Sequence, residues 1–153
     1  MPRHFEEFVL EEVSLSPERT ITEADVQSFA ALTGDRNPLH LDAEAARQSR
    51  FGQRVAHGAF VFAVSVGLLQ SDEQRRPHVM AFLGVERLRF VRPVFLGDSI
   101  RVRQTVRSLD PVNEESGLME AGEEVLNQDD AVTVSYTAKF LIRRSPTLAE
   151  RHR

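Results

Sequence analysis

The sequence predicts an α+β domain in which a curled antiparallel sheet is wrapped around one long buried helix. Apolar residues recur at helical spacing in the first half of the chain, whereas after Pro77 they alternate with a period of two. Between these halves, residues 58–70 are apolar on nearly every side, and a helix without a polar face must be buried. We therefore expect the sheet to curl around this helix in a single domain over residues 1–153, with a flexible tail from about residue 145.

Two shorter helices are predicted ahead of the apolar one. Thr22 is a suitable N-cap because acidic residues follow it in the first turn, and Gly34 is suited to end the same helix. A second helix is predicted to begin at Asp42 and to continue to Ser49. Residues 35–40 then form the turn that joins the two helices.

Four strands are predicted in the second half, over residues 79–91, 100–107, 118–127 and 132–142. Residues 110–117 are predicted to be a polar loop, and residues 128–130 a hairpin turn. Two groups of charged residues are interpreted as solvated positions of loops, strand edges and the outer sheet face. They are the acidic pairs Glu114-Glu115, Glu123-Glu124 and Asp129-Asp130, and the arginines Arg87, Arg89 and Arg92, for which phosphate binding is the less favoured alternative.

The composition excludes several classes of function. The chain has no cysteine, so disulfides, thiol nucleophiles and thiolate metal sites are absent from it. Its net charge of −4 argues against a dedicated nucleic-acid-binding protein. The longest apolar run, residues 59–69, is too short to span a bilayer, which takes ~20 residues. We expect a cytoplasmic protein that binds neither nucleic acid nor membrane.

The candidate catalytic residues are Asp35 and His40, which lie five positions apart around Asn37 and Pro38. Carboxylate and imidazole groups are well suited to moving protons near neutral pH. Proline stops a helix from running through this stretch, and asparagine stabilises turns by bonding to nearby backbone, so the separation of the pair depends on a fixed turn. A second fragment, His57-Gly58, opens the apolar helix.

These fragments resemble those of the MaoC-like, (R)-specific enoyl-CoA hydratase family, also called hydratase 2. The resemblance rests on the D-x-N-P-x-H pattern of residues 35–40, on His57-Gly58, and on residues 90–94 followed by Gly97-Asp98. It covers about residues 21–143. It implies the hotdog fold, a homodimer or larger homo-oligomer, an acyl-CoA or acyl-carrier-protein thioester as substrate, and no metal or other cofactor.

The family's reaction is the reversible syn addition of water to a trans-2-enoyl thioester, which gives an (R)-3-hydroxyacyl thioester. By motif position, Asp35 and His40 would be the catalytic pair, although the sequence leaves open which acts as base. The backbone N–H of Gly58, at the start of the apolar helix, would stabilise the enolate oxygen. Asn37, Pro38 and His57 would support the turn or the substrate, and we expect His57 to bond backbone near Gly58.

One position departs from the family pattern. Some relatives carry a serine just before the glycine that corresponds to Gly67, whereas this chain has Val66 there and a serine at position 65. A displacement of one residue turns a side chain by about 100° around a helix. A hydrogen bond from this helix to the catalytic pair is therefore not expected.

Two other functions remain open. Hotdog proteins include acyl-CoA thioesterases, although those tend to lack the D-x-N-P-x-H turn. A hydratase-like chain can also be a non-catalytic acyl-binding subunit of a heteromeric dehydratase, although the intact Asp35/His40 pair favours a catalytic chain.

Overall fold

The computed structural model describes residues 1–73 and 75–146, and its main feature is a six-stranded antiparallel sheet. The strands are β1 (Val13–Leu15), β2 (Arg19–Thr20), β3 (Val79–Phe90), β4 (Ser99–Pro111), β5 (Ser116–Leu126) and β6 (Val132–Arg143). Their order is β1-β4-β5-β6-β3, and β2 also pairs with β4. The sheet is curled, and β3 lies at one of its edges.

Four helices lie in the first half of the chain, after a single 3-10 turn at Phe5–Glu7. They are α1 (Glu23–Thr33), α2 (Pro38–Leu41), α3 (Ala43–Arg47) and α4 (Gly58–Ser71). The predicted start of α1 is confirmed, because the Thr22 hydroxyl accepts the Asp25 N–H and the Asp25 carboxylate accepts the Thr22 N–H. The predicted end is confirmed by Gly34, whose φ of 81° is readily adopted only by glycine.

The hydrophobic core lies between α4 and the inner face of the sheet. From α4 it receives Phe60, Val61 and Leu68. The long strands β4, β5 and β6 contribute alternate residues, as the period of two predicts, whereas β3 has no buried residue. On β4, β5 and β6 the inward-facing apolar residues are Ile100, Val102, Val106, Met119, Ala121, Val125, Val134, Tyr136, Ala138, Phe140 and Ile142.

The prediction that α4 is buried on all sides is wrong for a single chain. Ala59, Ala63 and Gly67 are exposed, and they follow one another at intervals of four residues along one face of the helix. The opposite face of α4 packs against the sheet. The apolar pattern therefore overestimates the burial that one chain supplies.

The first half of the chain contains two short strands, β1 and β2, that the sequence did not predict. The loop predicted over residues 110–117 is also shorter than expected. Asp110 and Pro111 continue β4 because they pair with Leu118 and Gly117 of β5. Only residues 112–115 connect the two strands, and the Asn113 side chain accepts backbone N–H groups within this turn.

The interpretation of Glu123 as a solvated position is wrong. Its side chain faces the core and is 1% exposed. It lies between Gln104 of β4 and Tyr136 of β6, which are its register partners. The Gln104 amide donates to one Glu123 oxygen at 2.7 Å, and the other oxygen has no partner in the described part of the chain. Burial raises the pKa of Glu123 to about 8, so this carboxyl group is mostly protonated at neutral pH.

The predicted flexible tail falls mainly on residues 147–153, which lie outside the described residues. Within residues 1–73 and 75–146, every helix is too short or too polar to cross a lipid bilayer.

Candidate active site

The turn over residues 35–40 is held by its own hydrogen bonds. The Asn37 N–H donates to the Asp35 carboxylate at 3.2 Å, and the Asn37 side chain accepts the Leu39 N–H at 3.0 Å. Asn37 is thereby the N-cap of α2, and Pro38 is its first residue, where a missing N–H costs nothing. His40 therefore lies within a short helix and not in an open turn, and its spacing from Asp35 is set by local backbone geometry.

The imidazole of His40 is oriented by the loop that precedes α4. Its Nδ1 lies 2.7 Å from the carbonyl oxygen of Val55. Because a carbonyl can only accept, Nδ1 carries the hydrogen of the neutral ring, and the Nε2 lone pair remains available as a base. The Val55 N–H in turn donates to the Leu39 carbonyl, which ties this loop to α2.

His57 contacts both members of the pair. Its ring stacks on that of His40 with centroids 3.8 Å apart, and its Nε2 bonds the backbone carbonyl of Asp35 at 3.0 Å. The ring of Phe29 from α1 packs edge-on against its other side. His57 is 2% exposed, and its Nδ1 has no hydrogen-bond partner among residues 1–73 and 75–146. Contrary to the expectation that it bonds backbone near Gly58, it connects the Asp35 turn to the start of α4.

Asp35, His40 and His57 form one cluster. Each offers one potential ligand or proton-transfer atom, and these atoms all lie within 4.8 Å of one another. Asp35 is exposed to solvent, His40 is half-buried and His57 is buried. A carboxylate and two imidazoles are also the side chains that bind transition metals, so the donor set alone fits either a metal or a water molecule. One nitrogen of each ring, His40 Nδ1 and His57 Nε2, already bonds a backbone carbonyl, which leaves one ring nitrogen of each histidine.

Gly58 begins α4, so its N–H has no acceptor within the helix. The ring of Phe90 lies directly against it: a Cβ at this position would be 2.8 Å from Phe90 Cδ1 and Cε1. Only glycine allows this approach. The loop before Gly58 is fixed by the bond from the Ala56 N–H to the Val94 carbonyl and by the bridge between Val55 and Phe95.

A cavity of about 420 Å³ opens beside these groups. His40 and Gly58 both line it, and Asp35 and His57 lie within 4.8 Å of His40 without lining the cavity themselves. Apolar residues form most of its wall, which suits an acyl chain. The arginines Arg50 and Arg92 also line it. The other residues of the wall include Leu39, Phe51, Val61, Phe90, Val91 and Val134.

Sequence reasoning missed three contributors to this site. The Val55 carbonyl orients His40 through backbone, which no side-chain pattern reveals. Phe29 and Phe90 reach the cluster and Gly58 from α1 and β3, so only the tertiary fold brings them there. Ser65 of α4 makes no hydrogen bond to the catalytic pair, as expected. It is buried and bonds the Phe62 carbonyl and the Tyr136 hydroxyl.

Comparison with known proteins shows the family of this chain. A model of the MaoC like domain matches residues 5–128. The chain is 33% identical over 117 residues to the 3-hydroxybutyryl-CoA dehydratase of Methylorubrum extorquens. The matched segment covers 74% of this chain and 73% of that protein. The chain belongs to the MaoC-like family.

Other members of the MaoC-like family are also similar to this chain. Protein MaoC of Klebsiella aerogenes is 46% identical over 105 residues, which are 69% of this chain. They are 31% of that protein, so the chain spans about a third of its length. The unliganded R-hydratase PhaJ1 of Pseudomonas aeruginosa has a similar structure, with 30% identity and a TM-score of 0.78 over 93% of this chain and 86% of that one.

The predicted hotdog fold is confirmed. A Mycobacterium tuberculosis protein described as a double hotdog fold matches with a TM-score of 0.83 over 95% of this chain and 45% of that one. At 22% identity this match concerns the fold alone. The curled sheet against α4 is the same arrangement.

Proposed function

We propose that this MaoC-like chain is an (R)-specific enoyl thioester hydratase, which also runs in reverse as a 3-hydroxyacyl thioester dehydratase. The observation that carries the proposal is that His40, which clusters with Asp35 and His57, lines the same largely apolar cavity as Gly58 at the start of α4. The names of two relatives, a 3-hydroxybutyryl-CoA dehydratase and an (R)-specific enoyl-CoA hydratase of Rhodospirillum rubrum, support the reaction class.

In the hydration direction, one water molecule lies between the Asp35 carboxylate and His40 Nε2. The water oxygen adds to the β-carbon of the enoyl group while its proton passes to Nε2. Asp35 stabilises the imidazolium that forms, because an opposite charge within hydrogen-bonding range favours the charged ring. The imidazolium then returns the proton to the α-carbon on the same face, so that H and OH of one water are added syn and the pair ends unchanged.

The N–H of Gly58 stabilises the charge that develops on the thioester oxygen. It lies at the positive end of α4, and its hydrogen is not used within the helix. The loss of one such donor raises the barrier by about 3 kcal/mol in enzymes of this type. Phe90, which packs against Gly58, closes the wall of the cavity at this point.

We propose that a thioester of coenzyme A or of an acyl carrier protein is the substrate, without a metal or other cofactor. The apolar wall of the cavity fits an acyl chain, and Arg50 and Arg92 at the same cavity are suited to bind an anionic group. Relatives are named for both carriers: an (R)-specific enoyl-CoA hydratase of Aeromonas caviae, and a mitochondrial 3-hydroxyacyl-[acyl-carrier-protein] dehydratase of Arabidopsis thaliana.

The enzyme is proposed to act as a homodimer. The edge strand β3 and the residue after it expose six large apolar side chains, and an unpaired apolar edge is a template for pairing with a second chain. These side chains are Met80, Phe82, Leu83, Leu88, Phe90 and Val91. Sedimentation equilibrium tests this: the wild-type chain is expected to be a dimer, and Leu83→Glu is expected to shift it to monomer. A monomeric wild type would contradict the proposal.

Hydration of crotonyl-CoA tests the function itself. The loss of the enoyl absorbance and the formation of (R)-3-hydroxybutyryl-CoA on a chiral column are the expected results. Release of free CoA thiol with the enoyl group intact would indicate a thioesterase instead. Binding of crotonyl-CoA by the purified homodimer without turnover would indicate a non-catalytic acyl-binding subunit.

A further inference from the structure

The outer face of the sheet carries a second, polar groove of about 320 Å³. Its floor is formed where Thr105 of β4, Gly122 of β5 and Thr137 of β6 lie in register on adjacent strands. Side chains of neighbouring strand positions point to opposite faces, so this groove is separated from the α4 side of the sheet by the sheet itself. We call it the outer groove.

Gly122 allows an arginine side chain to lie close to the floor of the outer groove. Because Gly122 has no side chain, the guanidinium of Arg107 lies over it, with Nε 3.3 Å from the point that a Cβ would occupy. One nitrogen of Arg107, Nη1, pairs with Glu11 at 2.9 Å. The Nε and Nη2 groups remain above the floor and can donate to a bound anion.

Two further guanidiniums, those of Arg87 and Arg89, line the groove from β3. Both are exposed, and neither forms a salt bridge within residues 1–73 and 75–146. Of the two glutamates that line the groove, Glu124 is already paired with Arg103 at 2.7 Å, and the side chain of Glu123 faces the core. The groove therefore has an excess of positive charge, whereas the chain as a whole has a net charge of −4.

Hydroxyl groups complete the lining. Thr105, Ser135 and Thr137 are half-buried at the floor. In the described part of the chain their hydroxyls make no hydrogen bond to protein groups, unlike the Thr133 hydroxyl, which bonds the Val125 carbonyl. Free hydroxyls and guanidinium forks together offer the donors that a tetrahedral oxyanion accepts.

We propose that the outer groove binds a phosphate group. The ligand is either free inorganic phosphate or the phosphate of a nucleotide, and both present the same oxygens to the three arginines. Pairing of β3 with a second copy uses its backbone edge and leaves the outer face accessible, because side chains stand perpendicular to a sheet. The site does not depend on the proposed hydratase reaction.

Calorimetric titration with inorganic phosphate at low ionic strength tests this proposal, because screening weakens exposed charges as salt rises. The wild-type chain is expected to bind one phosphate per protomer saturably. Arg89→Gln should weaken binding by roughly tenfold, and Thr137→Val by roughly fivefold at unchanged net charge. The matched control is Arg101→Gln. Arg101 lies on the same sheet face and pairs with Asp130, so its replacement should change the phosphate affinity by less than about twofold.

Three results would overturn the proposal: no saturable binding, equal weakening by Arg89→Gln and Arg101→Gln, or no effect of Thr137→Val. The last two would mean that net charge alone attracts the anion. A parallel titration with adenosine 3′,5′-bisphosphate identifies the source. If the bisphosphate binds at least tenfold more tightly than inorganic phosphate and is equally sensitive to Arg89→Gln, the groove is assigned to a nucleotide. If the two affinities are equal, the groove is assigned to free phosphate.

Discussion

Glu123 makes the stability of this protein depend on pH, and Glu123→Gln should remove that dependence. The carboxyl group is 1% exposed and burial raises its pKa to about 8, from 4.5 in an unfolded chain. Between these two values the folded state holds a proton that the unfolded state has lost. Unfolding then releases a proton, so the free energy of unfolding falls as pH rises through this window.

The magnitude follows from the difference in bound protons. One proton changes the free energy of unfolding by about 1.4 kcal/mol per pH unit, so the wild-type chain loses about 2 kcal/mol between about pH 6 and about pH 8 through this group. A glutamine at position 123 keeps an oxygen for the Gln104 amide and replaces the acidic O–H with an N–H. The variant should therefore match the wild type near pH 6 and exceed its stability by about 2 kcal/mol near pH 8.

Urea unfolding at fixed protein concentration, repeated across this pH range, measures the effect; the concentration is held because a dimer's stability depends on it. Glu124→Gln is the control, since Glu124 is half-buried, faces outward and pairs with Arg103. It should leave the slope between about pH 6 and about pH 8 unchanged. Parallel profiles for the wild type and Glu123→Gln would refute the conclusion that Glu123 is buried and protonated.

Two further predictions concern the candidate active site. Gly58→Ala places a Cβ 2.8 Å from the Phe90 ring and should lower kcat/KM for crotonyl-CoA by roughly 10- to 100-fold, because small misplacements of catalytic groups are costly. In a Phe90→Ala background the same change should have little effect, and an equal loss in both backgrounds would contradict the steric reason. Dialysis against a chelator should leave turnover unchanged, and restoration of activity by a divalent cation would instead assign the Asp35–His40–His57 cluster to a metal.

The parts of the fold that depend on local chemistry could be predicted from the sequence. Thr22 begins α1 as its N-cap and Gly34 ends it, as predicted. The alternation of residues 132–142 likewise predicts β6. The Asp35–His40 spacing is likewise a local property, because Asn37 and Pro38 set it within six residues. These features need no contact with distant parts of the chain.

Features that depend on tertiary contacts were missed or misjudged. Glu123 shares its sheet face with Ala121 and Val125, so the period of two indicates that its side chain is buried. The neighbouring Glu124 favoured the interpretation that both residues are solvated. The bond from His57 to the Asp35 carbonyl spans 22 positions, and no side-chain pattern encodes it. The exposed face of α4 was misjudged because Ala59, Ala63 and Gly67 continue the apolar pattern although they are exposed in the chain.

The steady-state kinetics of Asp35→Asn, His40→Ala and the double variant with crotonyl-CoA test the central claim most directly. If the two groups act as a unit on one water molecule, each single variant should lose roughly 10²- to 10⁴-fold in kcat/KM. The double variant should then be about as impaired as the worse single variant, because the effects of residues that act together do not multiply. Substantial turnover by either single variant, or multiplicative losses in the double variant, would contradict the proposed Asp35/His40 chemistry.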